Sequence, residues 1–288
     1  MILNETHPLS NGVEIPKLGL GTWLISDADV VQAVKDALAI GYRHIDTAQA
    51  YGNERGVAEA IRASAVSRDE IFLTSKLAAE VKSYEQAVKA IDASLATMGL
   101  DQLDLMIIHS PQPWREFGSD DRHFEGNREA WKALEEAYKA GKLRAIGLSN
   151  FQGADIDNIL AACTVKPMVN QILAHISNTP HELIRYTQEQ GMLVEAYSPI
   201  AHGELLKNEQ VRVIADNYWA TVPQLSIRYL LQLGLLPLPK TTNPEHMKSN
   251  ADVNFEISDE DMETLKNINE IEDYGEHSRF PVFGATRN

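Results

Sequence analysis

The sequence contains almost no cysteine. Cys163 is the single cysteine in 288 residues, so no disulfide can form within the chain. Structural disulfides are typical of secreted proteins and are rare in reducing compartments. The first residues also lack the basic segment and the apolar run of a signal peptide. We therefore expect a cytoplasmic protein.

Long apolar runs and an excess of positive charge are missing as well. No apolar segment approaches the roughly 20 residues that a membrane-spanning helix requires. The chain has 26 lysine and arginine residues against 41 aspartate and glutamate residues, which gives a net charge of −15. Nucleic acids and anionic membrane surfaces bind basic proteins, so we expect neither as a partner. The histidines have no ligand spacing such as His-Glu-x-x-His, and we predict no metal site.

The sequence does contain a regular alternation of short apolar segments and longer amphipathic segments. Eight short segments rich in branched residues predict buried strands. They are 18–23, 44–48, 71–77, 103–109, 145–150, 168–173, 193–198 and 236–240. Between them, apolar residues recur every three or four positions, which is the spacing of one helical face. Examples of these predicted helices are 28–40, 84–98, 128–140 and 180–190.

Eight strands that alternate with helices predict parallel β-α units, arranged either as a closed barrel or as an open sheet. An open sheet that binds a dinucleotide usually has a Gly-x-Gly-x-x-Gly turn after its first strand. Segment 19–24, Gly-Leu-Gly-Thr-Trp-Leu, lacks the third glycine. We therefore predict an α/β fold of the (β/α)8 TIM-barrel type, with residues 1–288 as one domain. The Asn11-Gly12 pair between apolar residues predicts a β-hairpin, which we place as a cap at the bottom of the barrel.

Ionisable side chains follow three consecutive predicted strands. Asp46, Lys76 and His109 end the second, third and fourth strands, and Tyr51 lies in the loop after the second. In such a barrel, the carboxyl ends of the strands and the loops after them hold the functional groups. Each residue taken singly could be structural, as a buried ion pair or a hydrogen-bonded core histidine. Because a charge beside an apolar strand is costly unless it is paired, their convergence predicts an active site.

These four groups suit the reduction of a carbonyl by hydride transfer, which requires a proton donor for the developing alkoxide. The pKa of tyrosine is about 10, and a nearby ammonium favours the phenolate and lowers that pKa. We expect Lys76 to act on Tyr51 in this way, while Asp46 holds the lysine. We expect His109 to hydrogen-bond and orient the carbonyl oxygen. None of these roles requires a metal.

Two segments give the sequence a resemblance to a known family. They are Gly-Tyr-Arg-His-Ile-Asp-Thr-Ala at 41–48 with Tyr-Gly-Asn-Glu at 51–54, and Gly-Leu-Ser-Asn-Phe at 147–151. From Gly19 to about Asn250 the chain resembles the aldo-keto reductase superfamily, and within it the bacterial reductases of 2,5-diketo-D-gluconate and methylglyoxal. The resemblance implies a catalytic tetrad of Asp46, Tyr51, Lys76 and His109. It also implies that Tyr51 is the general acid, that small carbonyl compounds are substrates, and that the protein is a monomer or a weak oligomer.

The resemblance further implies an NADPH site across the mouth of the barrel. The implied contacts, from the nicotinamide end to the adenosine end, are Thr22, Trp23, Ser149, Asn150, Gln171, Tyr197, Ser198, Ile200, Lys240, Thr241, His246 and Asn250. The residues themselves support the adenosine end. Asn243 is a good N-cap and Pro244 a good first helical residue, and the N-terminus of a helix attracts phosphate.

One position in this region departs from the family. His246 stands where relatives commonly have arginine. Arginine has a permanent charge and two-pronged contacts with phosphate, whereas histidine is mostly neutral at pH 7. We therefore expect weaker selectivity for NADPH and some activity with NADH.

The substrate pocket is also implied by the resemblance. Its implied residues are Trp23, Tyr51, His109 and Trp114, with Phe280 or Phe283 of the tail closing it. Leu-Ala-Ala at 77–79 and Ile-Leu-Ala-His at 172–175 replace an aromatic residue and a tyrosine-containing stretch of many relatives. These changes predict an unusual pocket.

Two alternatives remain open from the sequence. The same barrel could be an aldolase that forms a Schiff base through Lys76 or Lys240. It could instead be a regulatory or structural barrel that binds the cofactor without turnover.

Overall fold

The first two strands form a hairpin at one end of the molecule. The structure is a computed structural model that describes residues 1–284, and it has β1 (Thr6–Pro8) antiparallel to β2 (Glu14–Pro16). Gly12 in the turn has a φ of 82°, a conformation that glycine adopts without a steric penalty. The side-chain amide of Asn11 donates to the carbonyl oxygen of Arg144 at 2.9 Å. Because Arg144 lies at the start of a barrel strand, the hairpin covers the amino-terminal end of the barrel, as predicted.

Within residues 1–284, eight parallel strands follow the hairpin, and their order in the sheet is their order in the chain. They are β3 (Leu20–Gly21), β4 (His44–Asp46), β5 (Phe72–Leu77), β6 (Leu103–Ile108), β7 (Leu143–Ser149), β8 (Val169–Leu173), β9 (Leu193–Tyr197) and β10 (Leu236–Leu238). The predicted TIM barrel is confirmed. Every strand end lies within two residues of its predicted position.

Backbone hydrogen bonds between the first and last strands of the barrel, β3 and β10, close it. The nitrogen of Gly19 donates to the oxygen of Pro237 at 3.3 Å, and that of Gly21 to the oxygen of Pro239 at 3.0 Å. Glycine is required at position 19 because a Cβ there would lie 2.6 Å from the side chain of Leu238. The carboxyl end of β3 therefore lies beside the carboxyl end of β10.

Ten α-helices surround the strands in the described part of the chain. They are α1 (Asp29–Ile40), α2 (Glu54–Ala63), α3 (Tyr84–Met98), α4 (Phe124–Lys139), α5 (Gly153–Leu160), α6 (His181–Glu189), α7 (Glu209–Asn217), α8 (Val222–Gln232), α9 (Pro244–Ala251) and α10 (Asp259–Lys266). The four helices given as examples are present, although α4 begins four residues earlier than predicted. No helix within residues 1–284 is both long and apolar enough to span a bilayer.

The core lies between the strands and the inner faces of the helices. Strand β6 is buried along its whole length, as expected of a parallel strand covered on both faces. After α10, two short 3₁₀ turns, Gly275–Arg279 and Pro281–Phe283, carry the tail back to the barrel. The side chain of Phe283 is buried there.

Candidate active site

A cavity of about 990 Å³ opens at the carboxyl ends of the barrel strands. Its wall contains three of the four predicted catalytic residues and all of the residues predicted to contact cofactor or substrate. These wall residues are Thr22, Trp23, Asp46, Tyr51, His109, Trp114, Ser149, Asn150, Gln171, Tyr197, Ser198, Ile200, Lys240, Thr241, His246 and Asn250. The fourth predicted catalytic residue, Lys76, is fully buried behind the wall.

Lys76 is held by groups from the neighbouring strand. Its ammonium donates to a carboxylate oxygen of Asp46 and, at 2.9 Å, to the carbonyl oxygen of Thr47. Strands β4 and β5 are paired in parallel with Asp46 opposite Thr74, which brings the two side chains together inside the barrel. Burial lowers the pKa of Lys76, but Asp46 and Tyr51 raise it by more, so the net pKa is raised. The lysine is therefore a buried ammonium ion.

Tyr51 ends a one-turn 3₁₀ helix after β4, and its half-buried ring lines the cavity. The Lys76 nitrogen lies 4.9 Å from the centroid of this ring. Burial raises the pKa of Tyr51, and the Lys76 ammonium opposes that rise without reversing it. Lys76 lowers the pKa of Tyr51, as expected from the sequence. The net pKa is nevertheless raised and not lowered, because burial has a larger effect than the ammonium. The phenol is protonated at neutral pH.

Gln49 anchors the turn that carries Tyr51. Its side-chain oxygen accepts from the backbone nitrogen of Ala78 at 2.9 Å. Its side-chain nitrogen donates to the backbone oxygen of Ala90 and to Oγ of Ser94, both at 2.8 Å. Sequence reasoning missed this residue, because nothing in the local pattern distinguishes it from a solvent-exposed glutamine.

His109 lies at the end of β6 between two aromatic side chains. Its ring centroid is 5.6 Å from that of Tyr51 and 5.1 Å from that of Trp114, both with edge-to-face geometry. Burial, and then the charge of Lys76, lower the pKa of His109 well below 6.5. Its buried Nδ1 has no hydrogen-bond partner in the part of the chain that the structure describes. The residue therefore presents a neutral imidazole at the cavity wall.

Amide and hydroxyl groups line the opposite side of the cavity. Asn150 has a φ of 64°, and its side-chain nitrogen donates to the carbonyl oxygen of His109 at 3.0 Å. The hydroxyl of Tyr197 donates to the side-chain oxygen of Asn150 at 2.7 Å. The side-chain nitrogen of Gln171 donates to Oδ2 of Asp46 at 2.9 Å and to Oε2 of Glu195 at 2.7 Å. These contacts connect the predicted cofactor residues to the predicted catalytic residues.

Glu195 and His44 form a second buried layer that sequence reasoning missed. Glu195 is fully buried on β9, and burial, then the charge of Asp46, raise its pKa to about 8. Its Oε1 lies 3.9 Å from Nε2 of His44. Burial and Lys76 lower the pKa of His44 to about 3, and its Nε2 lies 3.0 Å from Oγ1 of Thr74. The glutamate in the middle of the apolar segment 193–198 is the one local signal that could have indicated this layer.

The adenosine end of the predicted cofactor site has the expected helix. Asn243 caps α9 by accepting from the backbone nitrogen of Glu245 at 3.0 Å, and Pro244 is the first helical residue. This confirms the predicted start of the helix. In the described part of the chain, Lys240 has no carboxylate partner within ion-pair distance. Among the described residues, Lys240 is therefore a cation at the cavity wall without an ion-pair partner.

The tail and the loop after β9 cover the cavity with aromatic rings. Trp23 lies at a centroid distance of 4.8 Å from Phe280 and 6.0 Å from Phe283. Both phenylalanines line the cavity, as expected from the sequence. His202 and His277, which sequence reasoning missed, also line it and stack on each other at 4.0 Å with an angle of 11° between their planes.

The two segments that predicted an unusual pocket do not lie in its wall. No residue of 77–79 or 172–175 lines the cavity formed by residues 1–284. Leu77, Ala79 and the whole of 172–175 are buried in packing between elements. These segments therefore contribute no side chain to the wall, which the tail and the β9 loop help to form, and the unusual pocket stays a prediction. A group of three or more His, Cys, Asp or Glu side chains that could hold a metal is absent from the described residues.

Comparisons with known proteins agree with this geometry. The profile of the aldo/keto reductase family matches residues 17–270. The chain is 42% identical to YtbE, an uncharacterised oxidoreductase of Bacillus subtilis, over 93% of this chain and 94% of that protein. It is 40% identical to glyoxal reductase of the same organism, over 95% and 96% of the two chains. The chain therefore belongs to the aldo/keto reductase family and is an oxidoreductase.

A solved structure is similar over almost the whole chain. It is an aldo-keto reductase of Bombyx mori in complex with NADP, with a TM-score of 0.84 and 31% identity. The similarity covers 97% of this chain and 98% of that one.

Proposed function

We propose that this protein reduces small aldehydes or ketones to alcohols by transferring a hydride from NADPH, with Tyr51 as the proton donor. One observation carries the proposal. The phenol of Tyr51 lines the cavity directly above a buried ammonium, and that ammonium is held by Asp46. A buried ammonium beside a phenol suits a proton donor to an alkoxide, because it stabilises the phenolate that remains, whereas a pure binding site has no need of it.

The residues of the cavity fit a nicotinamide dinucleotide. Ser149, Asn150 and Gln171 would hold the carboxamide, and the ring of Tyr197 would stack on the nicotinamide. Ser198 and Ile200 would pass along the pyrophosphate. The adenosine end would be held by Lys240, Thr241, His246 and Asn250. The unpaired cation of Lys240 beside the N-terminus of α9 supports the placement of a phosphate there. When bound, the reduced nicotinamide supplies the hydride.

The chain's own residues supply the proton. The hydroxyl of Tyr51 donates to the carbonyl oxygen of the substrate, and its proton passes to that oxygen as negative charge develops there. Lys76 stabilises the phenolate that remains. A neutral His109 donates one hydrogen bond to the same oxygen and orients the carbonyl.

The structure gives no support to the Schiff-base alternative. A lysine nucleophile must be neutral and must reach the substrate. Lys76 has no exposed surface, and its pKa is raised. Lys240 is exposed, but the predicted acid and base residues surround Lys76 rather than Lys240.

We propose small dicarbonyl compounds as the first substrates to examine. Trp23, Trp114 and Phe280 make the wall near His109 apolar and aromatic, which favours small, weakly polar molecules. The similarity to glyoxal reductase supports the same choice.

The test is NADPH oxidation by the purified protein, followed at 340 nm, with methylglyoxal and a panel of aldehydes. Tyr51→Phe should lower kcat by at least about 100-fold, because general acid catalysis contributes that much. NADPH binding should be unchanged, since the phenol ring remains. Tyr84→Phe, which changes a half-buried tyrosine on α3 outside the cavity wall, is the matched control. Full activity of Tyr51→Phe, or an inactive wild type that binds NADPH, would overturn the proposal.

We further propose that residues 1–288 act as one domain, as a cytoplasmic monomer or weak oligomer. The family match over 17–270 spans one barrel, and the single cysteine supports a reducing compartment. Light scattering during size exclusion measures the oligomeric state. A stable assembly of several chains at micromolar concentration would contradict the proposed monomer.

A further inference from the structure

We infer that Glu195 is a positioning residue that fixes the direction of the Gln171 amide, and so determines which chemical group a bound ligand must present to it. The inference rests on the proposed function, because the ligand group concerned is the nicotinamide carboxamide. Glu195 itself does not line the cavity. It acts through Gln171, which does.

The side-chain nitrogen of Gln171 has two acceptors inside the barrel. Gln171 on β8 and Glu195 on β9 are paired in register, and both side chains are buried inside the barrel. Nε2 of Gln171 donates to Glu195 at 2.7 Å and to Asp46 at 2.9 Å. A primary amide nitrogen has two hydrogens, so both are used within the protein. The carbonyl oxygen of Gln171 is the amide atom left for the cavity.

The reversed orientation of the Gln171 amide is chemically unfavourable. If the amide of Gln171 turned by 180°, its oxygen would face the carboxyl oxygens of Asp46 and Glu195. An amide oxygen only accepts hydrogen bonds, so the contact with Asp46 would become an unfavourable pair of acceptors. A buried acceptor without a donor costs about 1–3 kcal/mol. The reversed amide would also leave Oε2 of Glu195 without the donor that it now has at 2.7 Å, so the contacts with Asp46 and Glu195 together favour the observed direction.

Charge is distributed unevenly around Glu195. The charged and titratable groups that face it are Asp46, Lys76 and His44. On the other neighbouring strand, its register partner is the apolar Leu236. Asp46 is the ion-pair partner of the Lys76 ammonium. The raised pKa of Glu195 agrees with a carboxyl group that retains its proton at neutral pH and still accepts from Gln171 through Oε2.

The ligand must then offer a hydrogen-bond donor to Gln171. The carboxamide of nicotinamide offers its NH₂ group. The acetyl group of 3-acetylpyridine adenine dinucleotide phosphate has a methyl group in that place and offers none. The ratio of the affinities for these two oxidised dinucleotides therefore reports the direction of the Gln171 amide in the intact protein.

The experiment measures the binding of both dinucleotides, and of 2′-phospho-ADP-ribose, by calorimetry. The wild type should bind NADP⁺ about tenfold more tightly than the acetylpyridine analogue, the effect of one hydrogen bond. Glu195→Leu removes the acceptor and should reduce this preference to about twofold. Glu195→Gln keeps an acceptor oxygen and should retain the preference. Binding of 2′-phospho-ADP-ribose, which lacks the nicotinamide, should be equal in all three proteins.

Several outcomes would overturn the inference. One is a wild type that does not distinguish the two dinucleotides, a result that does not depend on any variant folding. Another is Glu195→Leu with an unchanged preference, or with equal losses for all three ligands. A wild type that binds 2′-phospho-ADP-ribose and NADP⁺ weakly or not at all would overturn the proposed function itself, and this inference with it.

Discussion

The ammonium nitrogen of Lys76 lies 4.9 Å from the centre of the Tyr51 ring while having no exposed surface of its own. The ammonium therefore acts on the phenol from inside the protein, where water does not screen its charge. Its effect on the pKa of Tyr51 is large enough to oppose burial but not to reverse it.

Lys76→Met should lower kcat by about 100-fold, because the phenolate loses the charge that stabilises it. It should also lower the free energy of unfolding by about 3–5 kcal/mol, because Asp46 becomes an unpaired buried charge. Steady-state kinetics and urea unfolding measure the two effects. The double variant Lys76→Met with Asp46→Asn should regain most of the stability and none of the activity. Wild-type activity in either variant would contradict the role of Lys76.

His246→Arg should raise the preference for NADPH over NADH by about tenfold, because one charge-assisted contact with the 2′-phosphate is gained. The measurement is the ratio of kcat/KM for the two cofactors. His181→Arg, at the start of α6 and outside the cavity wall, adds the same charge elsewhere. An unchanged ratio in His246→Arg, or an equal rise in the control, would disprove the prediction.

The stability of Glu195→Gln relative to the wild type should depend on pH. The pKa of Glu195 is raised from 4.5 to about 8 in the folded protein. Its contribution to stability is therefore complete below pH 4.5 and is lost as the pH rises to about 8. Over that range the free energy of unfolding of Glu195→Gln, relative to that of the wild type, should rise by roughly 1 kcal/mol per pH unit. Urea unfolding of both proteins measures the difference at several pH values, and a constant difference would show that Glu195 does not titrate as expected.

Phe280→Ala should widen the covered part of the cavity without touching the predicted catalytic residues. KM for a bulky aromatic aldehyde should fall about threefold to tenfold, while KM for methylglyoxal should stay within about twofold. Phe255→Ala removes the same side chain from packing outside the cavity wall and is the control. If Phe280→Ala and Phe255→Ala change the KM of both substrates by the same factor, Phe280 does not control access to the cavity.

The barrel and the catalytic candidates could be predicted from the sequence for the same reason. Apolar segments with a regular spacing mark the strands, and the barrel brings the strand ends together, so Asp46, Lys76 and His109 meet. The confirmed cap of α9 is equally local, because Asn243 and Pro244 act on the backbone next to them.

The rest depends on distances that no local pattern contains. Gln171 donates to both Glu195 and Asp46, and Asp46 is 125 residues away from Gln171 in the chain. The stack of His202 on His277 depends on where the tail returns. The net pKa of Tyr51 depends on how deeply the ring is buried. That segments 77–79 and 172–175 do not line the cavity depends on the packing of the whole barrel.

The hydrogen bonds that join Gly19 and Gly21 to Pro237 and Pro239 also determine when the cavity can exist. During synthesis, Thr22 leaves the ribosome early and Lys240 late, yet both belong to the same wall. Until β10 is made, β3 and β9 are open strand edges, and the cavity lacks one side. Ligand binding is consequently a property of the completed chain, and a shortened product ending before residue 236 would have an exposed sheet edge and no site.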